Sequence, residues 1–374
     1  MRRAVARIDL GAIERNVARL TATLTGGARL CAVVKADGYG HGAVPSAQAA
    51  LRGGAEVLAV ATASEAMELR SELPDAAILV MGALSADELE DALAARAEVA
   101  LWRDGFRELA GERAAARGFV PRVHVKYDTG LGRLGERDPE AVVALLDAVA
   151  ADTRLELSGL WTHLATADEE DGTFMGQQLA RFQELADAVA ERHPGLELHA
   201  ANSAATLADP ASHFGMVRCG IAIYGLDPFG RDPGEQGLEP ALELSSYVAD
   251  VKRFEPGASA GYGRRWKAAS ETWVGVLPIG YGDGWRRGLT NAAEALIDGR
   301  RYPVVGTVSM DNVTVDLGPE TDVAPGTEAV LIGERGGERI LAEELAATLD
   351  TINYEITCGI SQRVPREYAG GGGA

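Results

Sequence analysis

Cysteine is nearly missing from this sequence. Cys31, Cys219 and Cys358 are three among 374 residues, widely spaced and without a CxxC pair. So odd and scattered a set offers no disulfide framework, argues against a structural metal site, and suits a reducing compartment. Positive charge is also short: 36 Lys and Arg stand against 55 Asp and Glu, a net charge of −19. Such a chain is a poor partner for nucleic acid or an anionic membrane. Any anionic ligand must be held by a local cluster of donors. No apolar run approaches the roughly 18 residues that span a bilayer. The first residues, MRRAVARID, meet charge too early for a signal peptide. There is no internal repeat. These absences predict a cytoplasmic protein.

What is present is core material, with 47% hydrophobic and 24% charged residues over a length that suits two domains. Strand-like runs at 30–35, 57–61, 77–82, 99–102, 122–127, 157–163, 196–200 and 216–224 alternate with alanine-rich amphipathic stretches such as 64–73, 85–97, 106–117, 140–151 and 174–192. Eight strands with intervening helices predict an α/β fold, an N-terminal (β/α)8 TIM-type barrel over residues 1–230, with a doubly wound sheet as the alternative. Pro and Gly crowd residues 228–240 and read as a linker. Beyond them, runs at 244–254, 273–279, 295–297, 302–317 and 329–332, one helix at 342–349 and a last run at 351–363 predict a mostly β domain over 231–369. Residues 370–374, GGGGA, are expected to form a flexible tail.

The chemistry-bearing residues fall after the predicted barrel strands. The run 30–34 delivers Lys35 and then breaks into a loop with Gly38, Gly40 and Gly42 around Tyr39 and His41. A lysine there either snorkels out to water or sits in a pocket, its pKa lowered by desolvation, ready to form a Schiff base. Arg133 follows the fifth run, His163 ends the sixth, Asn202 and Ser203 follow the seventh, and Arg218 lies inside the eighth. Singly, each has an ordinary explanation: His163 as a satisfied core histidine, Ser203 as a helix cap. Together they converge on the face where barrels place their active sites, and a guanidinium inside an apolar strand must find an acceptor. A Schiff-base lysine, a permanent cation and a backbone phosphate cradle suggest pyridoxal phosphate.

The motifs VVKADGYGHG (33–42), KYDTGLGRLG (126–135), THLATADE (162–169), ANSA (201–204), VRCGIAIYG (217–225), GYG (261–263), IGYGDGW (279–285), SMDN (309–312), TINYE (351–355) and ISQRVPR (360–366) occur in one order along the chain. In these the sequence resembles the alanine racemase family of fold-type III pyridoxal-phosphate enzymes, over nearly its whole length. The resemblance implies that Lys35 carries the cofactor and acts as base on one face of the substrate Cα. Tyr262, from the partner of a head-to-tail homodimer with shared active sites, would act on the other. Arg218 would face the pyridine nitrogen with His163 bonded to it, and Arg133 the phenolic oxygen. Tyr39, Ser203, Gly220, Ile221 and Tyr354 would hold the phosphate. Met310 and Arg133 would meet the substrate carboxylate, and Tyr281 with Tyr354 would narrow an access channel. Lys126 matches a lysine that is carbamylated in many members. Ser309 stands where some members have cysteine, and Asp37-Gly38 where many have Asn-Ala. Asp311 and His41 are left without an assigned role, turn capping being an equal reading for Asp311. The implied activity is interconversion of L- and D-alanine, supplying D-alanine for peptidoglycan. A broader-specificity racemase, a decarboxylase of the same architecture and a non-catalytic pyridoxal-phosphate-binding protein are the alternatives.

Overall fold

A computed structural model describes residues 2–371. The chain forms two compact units, one of residues 13–223 and one of residues up to 12 together with those from 224 onward. Of the expected tail, Gly370 and Gly371 are described and 372–374 lie outside the described residues.

The first unit contains an eight-stranded parallel sheet rolled into a nearly closed barrel, its strands being Arg29–Val33, Val57–Val60, Ala77–Val80, Glu98–Leu101, Arg122–Lys126, Glu156–Trp161, Glu197–His199 and Met216–Cys219. Neighbours pair in chain order, and the last strand returns to pair with the first in the register Cys31 opposite Arg218. The remaining seam, between the seventh and eighth strands, carries the bonds Gly215 N–H to Leu198 O and Arg218 N–H to Ala201 O, both 3.0 Å. The strands Val57–Val60, Glu98–Leu101 and Met216–Cys219 are buried along their whole length, as parallel strands covered on both faces require. Several helices start where the sequence supplies caps. Thr62 with Glu65, and Ser85 with Glu88, form capping boxes, while Asp138 caps a helix whose first residue is Pro139.

The second unit is built on a ten-stranded, mostly antiparallel sheet. Its strand Val313–Gly318 alternates buried and half-buried residues, the pattern of a sheet with one face on a core.

Several boundaries differ from the sequence expectation. Val5–Asp9 is a strand paired with Leu242–Tyr247 and Arg366–Ala369, so the first residues build the β unit although the sequence groups them with the barrel. The eighth barrel strand ends at Cys219, not 224, and gives way to a 3-10 turn at Ile221–Tyr224. The run expected at 244–254 is two strands, Leu242–Tyr247 and Asp250–Phe254. Residues 353–358, where Tyr354, Ile356 and Thr357 favour a strand, form the helix Asn353–Cys358, because packing overrides a weak local preference. Among the described residues no helix is long and apolar enough to cross a membrane.

Candidate active site

Lys35 lies two residues beyond the first barrel strand and opens a turn of inverted hand: Ala36, Asp37, Gly38 and Tyr39 all have φ between 52° and 59°. Left-handed backbone costs about 1–2 kcal/mol per non-glycine residue, so the turn needs outside support. It has that support. Glu65 accepts the Ala36 N–H at 2.7 Å with one oxygen and the Ala61 N–H at 2.8 Å with the other. Asp37 accepts the Ala43 N–H at 2.9 Å. His41, fully buried, places Nδ1 3.0 Å from Gly38 O and 3.1 Å from Tyr39 O, which makes that nitrogen the donor and gives His41 a structural role. The turn swings Tyr39 toward the eighth strand, where a Cβ on Gly220 would sit only 2.4 Å from the Tyr39 hydroxyl oxygen. Glycine at 220 is therefore a requirement of that approach. Ser203 Oγ completes the cradle, accepting the Gly220 N–H at 3.0 Å and the Ala222 N–H at 3.4 Å, with Ile221 between them.

Arg218, 3% exposed, is held from several sides. Nη1 lies 2.9 Å from His199 Nδ1, and Nη2 donates to Thr162 O at 2.8 Å and Ala200 O at 3.0 Å, with His163 Nδ1 at 3.3 Å. A guanidinium has five N–H donors, so Nε–H and a second Nη1–H remain. Among the described residues no carboxylate pairs with it. Burial lowers its pKa to about 10. Burial and the neighbouring Arg218 cation hold His163 and His199 neutral, well below the ordinary imidazole range.

Lys126 is the last residue of the fifth strand, 2% exposed, with Nζ 4.0 Å from the centroid of the Trp161 ring. Burial, then Arg218, Arg133 and Lys35, bring its pKa down to about 7. These four cations thus share one end of the barrel in an acidic protein. Arg133 is exposed in the loop that follows, where Asp128 accepts the Gly130 and Gly132 N–H groups.

The remaining candidates belong to the β unit. Tyr262, between Gly261 and Gly263 at φ 70° and 72°, is 73% exposed, and its carbonyl accepts the Thr307 hydroxyl at 2.6 Å. Tyr281 and Met310 lie on two segments tied together by Tyr281 N–H to Ser309 O at 3.0 Å and Gly282 N–H to Met310 O at 2.9 Å. Asp283, 2% exposed, anchors them by accepting the Gly280 N–H at 2.9 Å and pairing with Arg3 and Arg363. Asp311 pairs with Arg363 at 2.7 Å. Tyr354 lies on the helix Asn353–Cys358.

Sequence reasoning missed Glu65, Asp283, His199 and Trp161. A polar residue in a strand run, such as His199, was a usable signal; the carboxylates look like ordinary helix or turn residues until their distant partners are known.

Comparison with known proteins accords with this geometry. Residues 8–228 match the family "Alanine racemase, N-terminal domain" and residues 241–368 match "Alanine racemase, C-terminal domain". A relative from Symbiobacterium thermophilum, called alanine racemase, is 44% identical over 99% of this chain and 98% of its own. The crystal structure of alanine racemase from E. faecalis superposes with a TM-score of 0.92 at 37% identity, covering 98% of each chain. That of Streptomyces coelicolor superposes equally well, at 0.92 and 39% identity over 98% of each. Both domain families in their expected order, together with relatives matched end to end, show that this chain belongs to the alanine racemase family.

Proposed function

We propose that the protein is a pyridoxal-phosphate-dependent alanine racemase that moves a proton on and off the substrate Cα with two bases on opposite faces. The observation that carries this reading is the surroundings of Arg218. A buried guanidinium with two donors left over and no paired carboxylate suits a neutral pyridine nitrogen, which accepts a hydrogen bond and gains no proton. The other residues fit the same group. The Tyr39 hydroxyl beside Gly220, the Ser203 hydroxyl, which the Gly220 and Ala222 N–H groups hold in place, and, by family resemblance, Gly220, Ile221 and Tyr354 are suited to a phosphate. The cations Lys35, Arg133 and Arg218 attract a ligand carrying phosphate and carboxylate into a chain of net charge −19.

Pyridoxal phosphate, when bound, supplies the electron-withdrawing ring that makes the substrate Cα proton acidic. Lys35 would hold it through its amine, and the same amine would take or return that proton on one face. The second base is Tyr262 of another copy of this chain in a head-to-tail homodimer; its glycine-flanked, exposed phenol suits presentation away from its own unit. Arg133 and the Met310 backbone N–H orient the substrate carboxylate, and Tyr281 with Tyr354 keeps the approach narrow enough for alanine. A lysine of pKa about 7 is partly a free amine near neutrality, the form that adds carbon dioxide, so Lys126 becomes a carbamate that orients Arg133. The enzyme works in the cytoplasm and provides D-alanine for peptidoglycan.

Solvent-deuterium exchange across a panel of L- and D-amino acids tests this. Deuterium should enter Cα of both alanine enantiomers and little else. Exchange spread evenly over larger amino acids would replace alanine with a broader substrate range. Loss of carbon dioxide would make the protein a decarboxylase, and no exchange at all would make it a binding protein.

A further inference from the structure

Barrel interiors are normally filled with branched apolar side chains, yet this one buries two histidines and a glutamate in line. His199 Nε2 is 2.9 Å from His124 Nδ1, His124 Nε2 is 2.7 Å from Glu98 Oε2, and Glu98 Oε1 takes Arg122 Nη1 at 2.8 Å. At the other end, Arg218 Nη1 is 2.9 Å from His199 Nδ1. The line runs from the fourth strand to the fifth, across the sixth, and on through the seventh to the eighth. It crosses the sixth at Gly159, opposite His124, where a Cβ would lie 2.2 Å from His124 Nδ1. The pairing register shifts between Val123 and His124 at this point. Trp161 lies parallel to His199, 5.6 Å between centroids and 2° between planes, and fixes that ring.

We infer that Glu98, His124 and His199 form a one-way hydrogen-bond relay that gives Arg218 a distant counter-charge and holds it as a donor toward the cofactor. The direction follows from donor and acceptor chemistry. Arginine only donates, so His199 Nδ1 accepts and its proton sits on Nε2. That proton points at His124 Nδ1, which must accept in turn, leaving the His124 proton on Nε2 to be donated to Glu98. A second proton on either ring would set two donors face to face, so both rings are neutral. Burial works against the Glu98 carboxylate, but its bond to His124 and the Arg122 charge hold it below its ordinary pKa. The guanidinium is thus linked to a carboxylate three hydrogen bonds away, one whose charge it shares with Arg122. A carboxylate in direct contact would hold Arg218 to itself; a relay through neutral imidazoles orients the guanidinium and leaves Nε–H free to serve a ligand. Glu98, His124 and His199 are positioning residues. Their functional consequence rests on the proposed cofactor; the proton order does not.

Two measurements test the relay. Neutron diffraction from perdeuterated crystals of the unaltered protein should show deuterons on Nε2 and none on Nδ1 in both His124 and His199. A deuteron on either Nδ1, or a doubly deuterated ring, overturns the proposal whether or not the protein racemises alanine. In kinetics, Glu98→Gln keeps the shape and removes the charge. It should lower kcat by about fivefold with KM within about twofold, a size typical of one link in a buried network. Added to His199→Ala, it should cost nothing further, because the route to Arg218 is already cut. Losses that multiply would show Glu98 acting by packing alone and sink the relay. Absence of racemisation in the unaltered enzyme would refute the proposed activity and leave the neutron result standing.

Discussion

Lys126 Nζ rests 4.0 Å from the centre of the Trp161 ring, and the Arg218 guanidinium carbon lies 4.9 Å from the same ring. Two basic groups therefore approach one buried indole, and the stronger acid, the lysine ammonium, gives up its proton first. Lysine can lose its proton; arginine keeps its own.

This arrangement sets a pH dependence of stability. The folded-state pKa of Lys126 is lowered to about 7 from its ordinary 10.5. Between these values the unfolded chain binds a proton that the folded chain does not, so stability rises with pH across that window and is lowest beneath it. Denaturant midpoints measured against pH in bicarbonate-free buffer should rise more steeply for the unaltered protein than for Lys126→Met. With bicarbonate present the difference should shrink, and mass spectrometry under gentle conditions should find one added carbon dioxide. Parallel curves in both buffers would remove Lys126 from the account.

Reduction with borohydride followed by peptide mapping should fix the cofactor to Lys35. Label on another lysine would end the proposed role.

Replacing Tyr262 with Phe should leave the melting temperature nearly unchanged, because the side chain is 73% exposed. Removal of the Cα proton should fall chiefly for one alanine enantiomer, by at least about a hundredfold if the phenol is a base there. Equal losses for both enantiomers would refute the two-base scheme.

Gly220→Ala should weaken cofactor retention. The added Cβ meets the Tyr39 hydroxyl at 2.4 Å, so the tyrosine must retreat from the cradle. Dialysis against buffer, followed by titration with pyridoxal phosphate, should show affinity lowered about tenfold or more, the size of one lost charge-assisted bond. The circular dichroism of the apoprotein should not change. Unaltered affinity would mean that Tyr39 does not hold the phosphate.

Asp283→Ala tests the supports of the Tyr281 and Met310 segments. It removes the acceptor of Gly280 N–H and leaves Arg3 and Arg363 without a shared buried carboxylate. A loss of about 2 kcal/mol in stability is expected, because the Gly280 N–H loses its acceptor while the part-exposed arginines can turn to water. KM for alanine should rise more than kcat falls, because Met310 is proposed to meet the substrate carboxylate. An unchanged KM would separate these segments from substrate binding.

Lys35, Arg218 and Ser203 were legible in the sequence because a cation or hydroxyl set into apolar or glycine-rich surroundings needs a reason. Glu65 and Asp283 were not. Asp283 meets Arg3 across 280 positions, and Glu65 reads as the cap of its own helix while also holding the inverted turn after Lys35. The helix at 353–358 was hidden for a different reason, since its local composition favours a strand.

The sequence by itself determined the alternation of strands and helices, the change to β texture beyond residue 240, the acidic surface and the motifs that mark the family. Those follow from periodicity and residue type, which are local. Only the tertiary structure decided that the Lys126 pKa falls to about 7, that four residues after Lys35 take left-handed backbone, and that Glu98 is linked to Arg218 through two imidazoles. Each of these depends on burial and on which distant strand supplies the next donor or acceptor, and both are set by barrel register, as Gly159 opposite His124 shows.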